Sequence, residues 1–280
     1  MVKVILVRLK KLPKKMFKLV SVSKIKLIQW GVVMLISLPV AAQASDSVIL
    51  LHGLARTDKS MVSLESSLKE NGYLVINAKY PSTEHSIEKL AEIIIPKALE
   101  KCRKGSKVHF VTHSLGGILV RQYLRQNTIN NLGRVVMLGP PNHGSKVVDN
   151  INGLPGFKAI TGPAGSQLGS GTESIPNQLG KADFELGIIA GTHTLNPILS
   201  VMLEKPNDGK VSVASTKLEG MADHIELPVT HPFMMNNKVV ISQVMHFLQK
   251  GVFDRSNNTE NKRGLSSYLN INRFGFKTIL

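Results

Sequence analysis

One serine in this 280-residue chain sits where its hydroxyl could become a nucleophile. Ser114 lies within Thr112-His113-Ser114-Leu115-Gly116-Gly117, between the apolar run Lys107–Thr112 and the amphipathic stretch Leu115–Asn127. A serine forced into so sharp a strand-to-helix turn has a strained backbone and an exposed side chain. Gly116 and Gly117 relieve crowding on the helix side, so that helix and strand can pass closely. The helix N-terminus brings unpaired N–H groups and the positive end of its dipole, both of which favour negative charge on a reacting oxygen. A hydroxyl in that position attacks a carbonyl once a base takes its proton. Nine histidines compete for the role of base. The single cysteine, Cys102, is no rival nucleophile. A reactive thiolate needs a positioned base, whereas Cys102 continues the helical pattern of residues 86–103 beside Lys101, Arg103 and Lys104. One cysteine also excludes an internal disulfide framework and a multi-cysteine zinc site.

The stretches flanking Ser114 alternate between strand and helix. Ser47–Leu51 is continuously apolar, the mark of a strand buried on both faces. Met61, Leu64 and Leu68 fall at helical spacing within 58–71, and Asn71-Gly72 ends that helix. Tyr73–Ala78 reads as a second strand. Ile87, Leu90, Ile94, Ala98 and Cys102 stripe a helix over 86–103 that Pro96 is expected to kink or split. Lys107–Thr112, Arg134–Leu138 and Leu186–Ala190 are further strands, Lys210–Ala214 and Ile225–Val229 weaker strand candidates, and Val239–Gln249 a closing helix. This alternation predicts an α/β fold: a mostly parallel central sheet with helices on both faces, joined by right-handed crossovers, in one domain over 45–250. Residues 145–183 carry seven glycines and little periodicity, which reads as a lid or loop insertion covering a substrate. Residues 251–280 read as a polar C-terminal tail.

With these elements in place, the segment around Ser114 resembles the nucleophile elbow of α/β-hydrolases, above all of secreted bacterial lipases and esterases. It departs from G-x-S-x-G at Thr112, whose β-branched side chain implies a slightly wider separation of strand and helix. The resemblance extends over residues 46–250, loosely over 150–183. It implies that Leu51-His52-Gly53-Leu54-Ala55 opens the oxyanion loop, with the backbone N–H groups of Leu54 and Leu115 as donors and His52 organising the loop. PVTHPFMM around His231 and FLQKG at the end of the last helix resemble the family's C-terminal part. His231 is thereby the implied base, because the family order Ser, Asp, His sets it after the final strand. His224, just before that strand, is the rival. Pro206-Asn207-Asp208-Gly209-Lys210-Val211 matches the family's D-G-x-V pattern, so Asp208 is the implied acid that accepts the His231 Nδ1–H. Asn-Asp-Gly is also an ordinary turn sequence, and Asp223 is the second choice. Leu138–Ser145 (LGPPNHGS) resembles the segment leaving the fourth strand. It is expected to shape the pocket floor, with His143 structural.

The formal charge of +16 is concentrated at one end. Residues 1–44 hold nine Lys and Arg and no acid, which leaves 26 basic against 19 acidic residues, or +7, for the remainder. No basic stretch is interleaved with aromatics, so nucleic acid is not an expected partner. The apolar run Leu27–Val40 follows a lysine-rich stretch and ends in Ala41-Ala42-Gln43-Ala44. That pattern is a signal peptide cleaved after Ala44, or an N-terminal anchor where cleavage fails. Met16 is a second candidate start. The expected location is periplasmic or extracellular.

Together these features imply a carboxylic ester hydrolase acting on lipid or other apolar acyl esters through an acyl-enzyme. Neither an organic cofactor nor a metal is expected, and the basic surface favours peripheral contact with a membrane or lipid surface. The same residues would also serve an acyltransferase, thioesterase or amidase, and the scaffold could carry a non-catalytic binding protein.

Overall fold

The computed structural model describes residues 45–154, 156–195 and 197–256. The expected leader over 1–44 lies outside them, as does the expected tail beyond Ser256. Six strands form one sheet: β1 (Ser47–Leu51), β2 (Leu74–Ala78), β3 (Val108–His113), β4 (Leu132–Leu138), β5 (Leu186–Gly191) and β6 (Asp223–Leu227). Their order is β2-β1-β3-β4-β5-β6, and every neighbouring pair runs parallel. Strands buried on both faces need apolar residues at successive positions, as β1 shows. Val48 and Leu50 join a core with Met61, Leu64, Leu68 and Phe247, while Ile49 and Leu51 join another with Phe110, Leu115, Ile118 and Leu119. Helices α1 (Val62–Glu70) and α9 (Lys238–Lys250) cover the first face, and α2 (Ile87–Leu99) and α3 (Leu115–Gln126) the second.

Three expectations change. Helix α2 continues through Pro96 rather than splitting there. A proline inside a helix costs about 3 kcal/mol, but burial of one large aliphatic side chain contributes about 1.5–3 kcal/mol. Ile87, Leu90, Ile94 and Ile95 are all buried on this helix, so the packed stripe wins. Lys210–Ala214 is not a strand: only an isolated bridge, Asn207 to Ser212, forms there. The N–H groups of Lys210 and Val211 are instead taken by the Asp208 carboxylate, and Ser212 caps a short helix, α8 (Val213–Thr216).

The insertion holds three short helices, α4 (Lys146–Ile151), α5 (Phe157–Ser166) and α6 (Ile175–Gln178), where the sequence suggested irregular loop. Gly162, at φ 66 and ψ −169, breaks α5 and erases the helical period. A further short helix, α7 (Pro197–Val201), follows β5. Residues 251–256 turn back onto the sheet, where Phe253 packs on Phe247 and Arg255 pairs with Asp223. Among the described residues, no helix is long and apolar enough to cross a membrane.

Candidate active site

The carboxyl ends of β1, β3, β5 and β6 lead into the residues that the sequence singled out. Ser114 links β3 to α3 with φ 52 and ψ −118, a region that non-glycine residues rarely occupy. Such strain persists only where the surroundings over-determine it. Here the Ser114 N–H donates to the Leu138 carbonyl (2.9 Å), and Gly116 packs so tightly that a Cβ would lie 2.5 Å from the Leu51 carbonyl oxygen. Thr112, the departure from the glycine pattern, is fully buried. Its Oγ1 lies 3.3 Å from where a Cβ on Gly117 would stand, so Gly117 supplies the room that the pattern's first glycine would have given.

His231 begins the 3-10 turn His231–Asn236 after β6, and Asp208 sits in the loop after β5. Both are almost fully buried. The His231 Nδ1–H donates to Asp208 Oδ2 (2.7 Å), and the His231 backbone N–H donates to the Asp208 carbonyl (3.1 Å). Asp208 Oδ1 accepts from the N–H groups of Lys210 (3.0 Å) and Val211 (2.8 Å), so both carboxylate oxygens are committed. An imidazole held at Nδ1 in this way presents a bare Nε2 as base. Gly139, just past β4, makes room for the pair: a Cβ there would stand 3.0 Å from Asp208 Oδ2 and 3.1 Å from His231 Nδ1.

Asp208 and His231 are therefore in direct contact. Ser114 is not hydrogen-bonded to His231 among the described residues; the two are linked through His113. That ring lies 4.7 Å from the His231 ring, centroid to centroid. Its Nε2–H donates to the His231 carbonyl (3.0 Å), while its Nδ1 is buried without a partner. Burial first, and the adjacent His231 second, holds His113 well below the usual imidazole range, so it stays neutral. The sequence reading gave His113 no role. Its position inside the serine motif was the only available signal, because contact with residue 231 is made through space.

The loop after β1 closes on the same spot. A Cβ on Gly53 would stand 3.2 Å from Ser114 Cβ and 2.7 Å from His113 Nδ1, so only glycine lets the loop reach the serine. Ala55 adopts φ 52, and its N–H donates to Ser82 Oγ (3.0 Å). The N–H groups of Leu54 and Leu115 have no acceptor among the described residues, which leaves both available to an incoming oxyanion. His52 is tied into this loop. Its Nδ1–H donates to the Gly53 carbonyl (2.9 Å), its ring stacks on Tyr80 at 3.9 Å, and the Tyr80 hydroxyl donates to its carbonyl. Burial lowers its pKa.

The rivals lie elsewhere. His224 Nε2 bonds to Thr216 Oγ1 (3.0 Å), Asp223 is bound by Arg255, and His143 pairs with Asn177 (3.1 Å). Cys102 is half-buried with its Sγ on the Ala98 carbonyl, and burial raises its pKa, so it is inert as a nucleophile. Among the described residues, no cluster of His, Cys, Asp and Glu has the arrangement of a metal site.

No protein-family model and no curated protein sequence matches the chain. Solved structures do match. A lipase of Bacillus licheniformis in its mature form superposes with TM-score 0.58 at 20% identity, over 74% of this chain and 93% of that one. Aspergillus fumigatus lipase B gives 0.54 at 16% identity, over 76% of this chain and 55% of that one. A phospholipase of Legionella pneumophila gives 0.50 at 23% identity, over 61% and 45%. Chains this dissimilar in sequence share an architecture, here the six-stranded parallel sheet with its helices. The protein has the α/β-hydrolase fold.

Proposed function

We propose that this protein is a serine hydrolase that cleaves carboxylic esters, with Ser114 as nucleophile, His231 as base and Asp208 as its orienting acid. The observation that carries this reading is the buried Asp208–His231 pair, 2.7 Å from Oδ2 to Nδ1, one histidine ring away from a serine at φ 52. In this scheme His231 Nε2 takes the Ser114 proton as Oγ attacks the ester carbonyl. The negative charge passes to the carbonyl oxygen, held by the Leu54 and Leu115 N–H groups. Imidazolium then protonates the departing alcohol, and water repeats the sequence on the acyl-enzyme. Loss of one oxyanion donor typically lowers such rates about 100- to 1,000-fold.

The preferred substrate in this reading is a lipid or other apolar acyl ester. Leu154 and Ile160 of the insertion, Leu195, Ile198 and Val201 after β5, and Phe233 two residues beyond His231 are all exposed large apolar side chains. Exposed apolar residues from several segments suit contact with acyl chains or a lipid surface. The insertion serves as the lid, with Gly165 packed against Leu54 of the oxyanion loop.

A fluorophosphonate probe is expected to label the wild-type chain and to leave Ser114→Ala unlabelled. A series of p-nitrophenyl esters from acetate to palmitate, with and without a lipid interface, is expected to favour the longer chains and the interface. An intact wild-type protein that takes no label would overturn the hydrolase reading. A preference for short soluble esters would replace lipase by esterase.

A further inference from the structure

His113 stands outside the reaction just described, yet it directly precedes Ser114, its ring meets His231, and its Nδ1 faces Gly53. It is 2% exposed, carries two nitrogens and sits between the nucleophile, the base and the oxyanion loop. It cannot serve as acid or base, because its only proton is committed to the His231 carbonyl and its other nitrogen faces Gly53 rather than substrate. A polar ring buried this deeply with an unpartnered nitrogen is an unfavourable core residue, since an unsatisfied buried group carries a desolvation penalty. A leucine or phenylalanine would fill the space with no such penalty. The position therefore calls for an explanation in terms of what the Nε2–H does.

That N–H completes the fixing of His231. The base is held at three polar points: its backbone N–H on the Asp208 carbonyl, its Nδ1–H on the Asp208 carboxylate and its carbonyl under His113 Nε2. The first two bind it to the acid loop. Only the third binds it to the strand that carries the serine, through the residue directly before Ser114. The base is thus joined to the serine-bearing strand by this hydrogen bond and by the contact of the two tilted rings, 4.7 Å between centroids. Gly53 meets the other side of the same ring, so the oxyanion loop is registered against the same reference.

Resting on the serine-hydrolase reading, we infer that His113 is a positioning residue that sets the His231 base against the Ser114 nucleophile by donating its Nε2–H to the His231 carbonyl. The claim requires that removal of the donor act through His231 and leave ground-state binding of substrate nearly untouched. Misplacement of a catalytic group by about 1 Å can lower a rate about 100-fold.

Three variants test it. His113→Leu keeps an apolar volume without a donor, His113→Gln offers a side-chain N–H at similar reach, and His231→Ala removes the group supposed to be positioned. On a p-nitrophenyl ester, His113→Leu is expected to lower kcat about 30- to 100-fold with KM within about twofold, in a protein with native circular dichroism. His113→Gln is expected to recover most of that loss. In the His231→Ala background, His113→Leu is expected to cause no further fall, as groups acting as a unit are non-additive. An undiminished kcat in folded His113→Leu, or the same fold-loss in the His231→Ala background, overturns the inference. A readout independent of turnover is the low-field proton resonance of the His231 Nδ1–H, expected to broaden or move upfield in His113→Leu and to persist in His113→Gln. If that resonance is unchanged in His113→Leu, His113 does not position the ring, whether or not the protein hydrolyses esters. If the wild-type protein proves inactive and unlabelled while the resonance responds, the function falls and the positioning stands.

Discussion

Gly139 shows how much of a candidate site can depend on an atom that is absent. The residue follows β4 at φ 53, and a methyl group there would meet Asp208 Oδ2, His231 Nδ1 and Met234 Sδ within 3.0 to 3.1 Å. Those contacts are tighter than carbon normally tolerates, and neither partner can retreat. Asp208 is tied to two backbone N–H groups and His231 to the Asp208 carbonyl. Gly139→Ala is therefore expected to push the pair apart and lower kcat by about 100-fold or more. Gly180→Ala separates that clash from simple backbone strain, since Gly180 has φ 71 but no neighbour within 4 Å of a Cβ. Both changes should lose about 1–2 kcal/mol from left-handed backbone strain. Only Gly139→Ala should lose turnover, as kcat and thermal midpoints measured side by side will show. Equal kcat in the two variants would mean that the pair tolerates displacement. Ser114 was legible in the sequence because its partners, Gly116 and Gly117, are two and three residues away. Gly139 and His113 were not, because what they touch lies some 70 and 118 positions further along the chain.

The same division between near and far holds for whole elements. Strands buried on both faces announce themselves as apolar runs, and all six lie within two residues of where the pattern set them. Short helices in the insertion did not, because six, ten and four residues give too few turns for a period to emerge. What fastens that insertion was equally invisible. Arg121 reads as one more charged residue on an amphipathic helix, yet it is 5% exposed and has no carboxylate partner among the described residues. Its guanidinium donates to the carbonyls of Asn142 (3.0 Å), Pro176 (3.0 Å) and Gly180 (2.8 Å), and to Asn142 Oδ1 (3.2 Å). Burial pushes its pKa down to about 10, which still leaves it charged at neutral pH. The planar fork suits several carbonyls at once, and a lysine ammonium cannot match it. Arg121→Met strands these acceptors at about 1–3 kcal/mol each where water cannot reach them. Urea unfolding should register a loss of about 3–5 kcal/mol, with amide exchange fastest over residues 174–181. Arg121→Lys should restore less than half. A loss below about 1 kcal/mol would show that the insertion is held by its apolar contacts instead.

Across the molecule, the buried histidines make stability depend on pH in a direction that can be worked out. His52, His109 and His113 are each at most 3% exposed, and burial is the first cause lowering each pKa from 6.5. Above about pH 6.5 both folded and unfolded chains hold these rings neutral, so their contribution is constant. Below it the unfolded chain takes up protons that the native one refuses. Stability then falls by about 1.4 kcal/mol per pH unit for each such ring until its own folded value is reached. The three rings act in the same direction, against a total stability that is typically only about 5–15 kcal/mol for a domain. Urea unfolding at half-unit steps from pH 8 to 5 should therefore give a plateau above 7 and a decline below 6.5. His109 should contribute least, since its Nε2 lies 3.4 Å from Asp46, whose charge opposes the shift. His113→Gln removes one of the three titrating rings while keeping a donor for His231, so its slope should be shallower by about one proton. An identical slope in that variant would mean that His113 is protonated without penalty. In that case the ring between Ser114 and His231 would not be the neutral donor that the geometry requires.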